Sequence, residues 1–137
     1  MNKKYERYIN FIVSDIEVPY FFNMKEMYGL KDSEYELVLS KVYNQPVTIR
    51  GRDVYNTNGN EIYIETSDGH WRKTKWDENG NEVYRINEVG FWSKWDYDDN
   101  NNVIYYEDSD GFWSKHTYDK DGNEIYYEDS RGVRYEI

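Results

Sequence analysis

Two strings in this chain, Asp77 to Glu82 and Asp119 to Glu124, read D-x-[DN]-G-N-E and crowd carboxylate and amide oxygens into six positions. Calcium takes such oxygens, but an EF-hand loop needs its glycine sixth and a glutamate twelfth, and here glycine stands fourth. Asn-Gly and Asp-Gly also close tight turns by tolerating positive φ, which accounts for the same residues. The two histidines, His70 and His116, fill positions that hold Phe, Val, Asp, Thr or Trp at equivalent places in the chain, so they read as strand surface residues. No nucleophile–base pair, phosphate loop or metalloprotease motif stands out. The expectation is a protein that is not an enzyme and needs no cofactor or metal.

The aromatic residues raise a second chemistry. Trp71, Trp92 and Trp113 recur at one spacing, as do Tyr63, Tyr84, Tyr105 and Tyr126. Rings of this kind form cages for choline or stack on glycans. Lys73, Lys94 and Lys115 each follow a tryptophan by two residues and can fill the cation position themselves.

The third chemistry is charge. Of 17 Lys and Arg, 8 lie in residues 1–52, against 7 of the 27 Asp and Glu. The remaining 9 cations of residues 53–137 face the remaining 20 acids. Phosphate binding needs clustered Lys and Arg, so nucleic acid is not the expected partner of the second part, and a basic protein is. Cysteine is absent, and the longest apolar run near the N-terminus is Phe11-Ile12-Val13. That is neither a signal peptide nor a membrane span, so a cytoplasmic protein with no membrane partner is expected.

These residues are positioned by a repeat. Gly69, Gly90, Gly111 and Gly132 step by 21, as do Gly59, Gly80 and Gly122 with Asn101 in the missing slot. Four units follow: Asp53–Lys73, Thr74–Lys94, Trp95–Lys115 and His116–Ile137. Each carries two turn signals about ten residues apart, joined by segments rich in Tyr, Trp, Ile and Val. About eight short antiparallel strands in an elongated meander are expected over 53–137. Alternation sends Ile62, Val83, Ile104 and Ile125 with Tyr97, Tyr118, Phe91 and Phe112 to one face. The recurring Tyr, Trp, Glu and Lys positions go to the other. A bulge at a turn would shift that parity.

Residues 1–52 read as a helical head or cap. An amphipathic helix is expected over residues 3–16, ended by Pro19. A second over Tyr20–Tyr28 has Gly29 as its C-terminal cap. A third, Glu34–Tyr43, opens with a Ser33–Glu36 capping box and stops before Pro46. Val47-Thr48-Ile49 then begins the first strand, and Arg50-Gly51-Arg52 turns into the repeats. The order suits a winged helix, yet the would-be recognition helix opens on Asp32, Glu34 and Glu36 and offers only Lys41. The expected class is α+β: about three helices, then four hairpin repeats.

The pattern G-x-x-x-x-x-x-[YW]-D-x-x-G-N, carried by Gly69 to Asn81, Gly111 to Asn123 and Gly90 to Asn102, resembles the YD repeats of the RHS family. That resemblance implies the local β-hairpin fold over residues 53–137. Tyr105-Tyr106-Glu107-Asp108-Ser109-Asp110-Gly111 and Tyr126-Tyr127-Glu128-Asp129-Ser130 also resemble small accessory proteins of phages, among them anti-CRISPR inhibitors. This second resemblance implies an inhibitor of a host defence nuclease, acting on its basic nucleic-acid-binding groove. The candidate partner-binding residues are Glu107, Asp108, Asp110, Glu128, Asp129, Trp92, Trp113, Tyr106 and Tyr127. The competing expectation is a structural or adhesive module that pairs through open sheet edges, with the terminal strand Arg134–Ile137 as a homodimer contact.

Overall fold

The computed structural model describes Phe22, Lys25 and residues 29–137. One helix is described over its whole length, α1 (Asp32–Tyr43). It forms because Tyr35, Val38 and Leu39 line one helical stripe, and all three are buried. Its start differs from expectation. The N-cap is Lys31, whose N–H donates to the Glu34 carboxylate at 3.0 Å. The Ser33–Glu36 box is not made, because Glu36 turns away and accepts the Ile49 N–H at 2.9 Å. Asn44, at φ 54°, closes the other end two residues before Pro46. The expected helix over residues 3–16 lies outside the described residues. Of the second, Phe22 and Lys25 are described and helical; beyond it Gly29 sits at φ 63° and the Leu30 N–H reaches the Lys25 carbonyl at 3.1 Å. Those are the marks of a glycine C-cap.

Ten strands follow one another in an antiparallel meander, each paired with its chain neighbours. They are β1 (Thr48–Arg50), β2 (Asp53–Tyr55), β3 (Glu61–Glu65), β4 (Trp71–Trp76) and β5 (Glu82–Asn87), then β6 (Trp92–Tyr97), β7 (Val103–Asp108), β8 (Trp113–Tyr118), β9 (Glu124–Asp129) and β10 (Arg134–Glu136). Nine of them fall within residues 53–137, one more than expected, since the unit boundaries after Lys73, Lys94 and Lys115 cut β4, β6 and β8 in half. The register shifts between Asp96 and Tyr97 and again between Thr117 and Tyr118. These bulges set Tyr97 opposite Val103 and Tyr118 opposite Glu124. Simple alternation therefore fails just before each of these two turns.

The chain divides into two compact units, Met1–Arg72 and Lys73–Ile137. Every buried apolar side chain belongs to the first: Phe22, Leu30, Tyr35, Val38, Leu39, Val47, Ile49, Val54, Ile62 and Tyr63. Helix α1 also covers the outer edge of β1, where Ser40 Oγ accepts the Val47 N–H at 3.3 Å beside the Glu36–Ile49 bond. The second unit buries only Thr74, Ser93, Ser114 and Asp129. It has no dry interior. Backbone ladders and cross-strand pairs, each worth roughly 0.2–1 kcal/mol, must hold it.

Candidate functional site

The turns of the second unit share one geometry. In Asp77–Asn81, Asp98–Asn102 and Asp119–Asn123, the first carboxylate accepts the N–H groups two and four residues on, at 2.8–2.9 Å. The backbone bond from the fifth residue, led by that from Asn81 to Asp77, holds these three carboxyls below the usual aspartate range. The same device recurs at the other strand ends. Asp108 Oδ1 accepts the Asp110 and Phe112 N–H groups at 3.0 and 3.3 Å. Asp129 Oδ1 does so for Arg131 and Val133 at 2.9 and 3.4 Å. Thus Asp108 and Asp129 are turn-forming groups, and Asp129 is 2% exposed.

Alternation then splits the Y-Y-E-D runs. The Tyr106 and Tyr127 hydroxyls donate to Asp108 and Asp129, at 3.0 and 2.7 Å, on the face that also holds Ser93, Ser114 and His116. The Tyr105 and Tyr126 hydroxyls donate to Glu107 and Glu128, at 3.4 and 2.7 Å, on the opposite face. There Lys94 lies across from Glu107, Glu107 from Trp113, and Lys115 from both Tyr105 and Glu128. Lys94 Nζ sits 4.8 Å over the Trp92 ring and Lys115 Nζ 5.1 Å over Trp113, so lysines occupy these two tryptophan faces. The nine candidate residues do not form one surface. Trp92, Glu107, Trp113 and Glu128 share the lysine face, Tyr106, Asp108, Tyr127 and Asp129 the serine face, and Asp110 stands at a turn.

One constellation escaped sequence reasoning. On the serine face, Ser114 Oγ lies 2.9 Å from His116 Nε2, and His116 Nδ1 lies 2.9 Å from Glu124 Oε2. The Tyr135 hydroxyl donates to the other Glu124 oxygen. Partial burial raises the Glu124 carboxyl, but the bonds from Tyr135 and His116 outweigh it and hold the group below its ordinary value. The order serine, histidine, acid is that of a nucleophilic relay. Ser114 is only 5% exposed in a strand paired on both sides, so the network joins β8, β9 and β10 instead of presenting a nucleophile. The signal was the His116 and Glu124 spacing across one hairpin, which becomes legible only once the register is known.

The two rims of the second unit differ in chemistry. Successive hairpins alternate ends, so Asp77–Asn81, Asp98–Asn102 and Asp119–Asn123 share one rim. It holds Asp77, Glu78, Asp98, Asp99, Asp119 and Asp121 against Lys120 alone. The exposed carboxylates of Glu78, Asp99 and Asp121 accept no hydrogen bond from the described residues. The opposite rim exposes Val89, Phe91 and Val133, at 78%, 37% and 46%. No helix among the described residues is long and apolar enough to cross a membrane. Neither a protein-family model nor a curated protein has a significant match to the chain.

Proposed function

We propose that this protein is a stoichiometric acidic inhibitor that binds a protein partner, an anti-CRISPR-like phage product acting on the basic nucleic-acid-binding groove of a host defence nuclease. The observation that carries the reading is the rim of uncommitted carboxylates at Glu78, Asp99 and Asp121. Hairpins two strands apart set neighbouring turns on one rim about 10 Å from each other. That spacing is close to the Debye length of about 8 Å at physiological salt, so the rim acts on a basic groove as a row of separately screened charges. The second unit, with no apolar residue buried, leaves Tyr and Trp accessible to anchor an interface.

The test is capture from a bacterial lysate followed by elution in rising salt, with the captured protein then assayed for nucleic-acid binding. Inhibition must appear at about one equivalent and weaken steeply as salt rises. A partner still held at about 1 M salt, where the Debye length is near 3 Å, would sink the acidic mechanism.

A further inference from the structure

The 21-residue spacing places a cation, a tyrosine and a glutamate at Arg52, Tyr63 and Glu65, at Lys94, Tyr105 and Glu107, and at Lys115, Tyr126 and Glu128. In the first set the Tyr63 hydroxyl donates to Glu65 Oε1 at 2.8 Å and Arg52 reaches Oε2 at 3.3 Å. In the others Lys94 and Lys115 stand directly across from Glu107 and Glu128. The three sets differ in what covers them. Over Tyr63 lies the ring of Phe22, stacked at 6.4 Å and 16°, and the Phe22 N–H donates to Glu65 Oε1 at 3.3 Å. Phe22 is helical, so the contact joins a helical residue to the strand pair β2–β3. Tyr63 and Glu65 are fully buried.

The later sets lack this cover. Arg134 sits 5.7 Å over the Tyr126 ring, and Lys75 and Lys94 lie 5.6 and 6.0 Å over Tyr84, which belongs to the unit where Ile86 replaces the glutamate. No ring or cation stacks on Tyr105 among the described residues. Its hydroxyl bond to Glu107, at 3.4 Å, is also longer than the 2.8 Å of Tyr63 to Glu65. Beside Tyr105 opens a cleft of about 530 Å³, whose lining includes Asp98, Ile104, Tyr105, Lys115, His116 and Tyr126. That volume is within the range of ligand-binding clefts.

We propose that the cleft beside Tyr105 is the docking slot for a partner protein's helix, which lays an aromatic ring over Tyr105 and donates that residue's backbone N–H to Glu107. The chain carries the template for this contact in Phe22 on Tyr63 and Glu65. The proposal rests on the reading of the sheet as a protein-binding surface and names the partner's chemistry there. An N–H donated to a carboxylate is a charge-assisted bond, and the stacked ring supplies apolar burial. Lys94 and Lys115 stand across from the carboxylates without covering the ring.

The test uses the full chain, isotope-labelled, titrated with a synthetic peptide of residues 17–31, which contains Phe22. Saturable NMR shifts are expected at Tyr105, Glu107, Lys115 and Tyr126. They should be absent with a Phe22→Ala peptide and about tenfold weaker in affinity for Glu107→Gln, as loss of a charge-assisted bond requires. Tyr105→Ala, with the fold checked by its remaining spectrum, should abolish them. Three results would overturn the proposal: no saturable shift at millimolar peptide, equal shifts with the Phe22→Ala peptide, or shifts confined to residues 61–65. The titration needs no natural target, so its failure is separate from failure of lysate capture, which would count against the inhibitor reading itself.

Discussion

The Tyr127 hydroxyl donates to Asp129 Oδ2 at 2.7 Å, and the Arg131 guanidinium reaches the same oxygen at 2.7 Å. With two backbone N–H groups on its other oxygen, Asp129 has four donors and no water-facing role. A carboxylate so held is a structural anion, whatever its place in an acidic run suggests.

Its protonation should therefore be late. The Arg131 bond, with those of Tyr127 and the backbone, lowers the Asp129 carboxyl well below the usual aspartate range. A lowered folded value means stability present above the unfolded value of about 3.9 and lost as pH falls through the folded one. In a carboxyl NMR titration Asp129 should be among the last side chains to protonate. Protonation of Asp129 at the unfolded value of about 3.9 would contradict the four-donor geometry. In thermal melts Asp129→Asn should lessen the loss of stability in acid.

Asn101 occupies a glycine position at φ 65°, while Gly80 and Gly122 in the matching turns stand at 82° and 85°. A side chain in the left-handed region costs about 1 kcal/mol, less for asparagine than for most residues. Asn101→Gly should stabilise the protein by a few tenths of a kcal/mol up to about 1, and Gly122→Ala should destabilise it by about 1–2. No atom lies within 4 Å of a Cβ added at Gly122, so the penalty there is conformational, not steric. Chemical denaturation of both variants checks the opposite signs.

Much of this was legible in the sequence. The 21-residue glycine series marked the turns, and Tyr, Trp and Ile between them marked strands, because positive φ and β-propensity are local properties. The capping residue of α1 was misplaced since Glu36 is claimed by Ile49, thirteen residues on, and no local rule sees that bond. The candidate acids were harder. Asp108 and Glu107 are neighbours in the chain, yet the pleat sends them to opposite faces, one to close a turn and the other to face Lys94. Composition counts both as surface charge. Only register separates them.

Glu65 tests how the first unit is held. It is fully buried between Tyr63, Arg52 and the Phe22 N–H. Removing one partner of a buried charged network costs about 3–5 kcal/mol, while losing one neutral hydroxyl costs about 1. Glu65→Ala should thus unfold the first unit at much lower denaturant than Tyr63→Phe. Equal, small effects would mean that the carboxylate is not holding Phe22 in place.

Charge reversal on the acidic rim should separate binding from folding. Asp99 and Asp121 are exposed and their carboxylates accept no hydrogen bond from described residues, so Asp99→Lys with Asp121→Lys should leave the melting temperature nearly unchanged. Exposed charges act mainly on encounter, so association with the proposed basic partner should slow about tenfold at low salt and converge with the native rate near 1 M salt. Asp108→Lys should behave differently. It removes the acceptor of two turn N–H groups and of Tyr106, so its binding defect should accompany a lowered melting temperature and persist at high salt. If the rim pair proves silent while a folded Asp108 variant loses binding, the partner reads the serine face and not the rim.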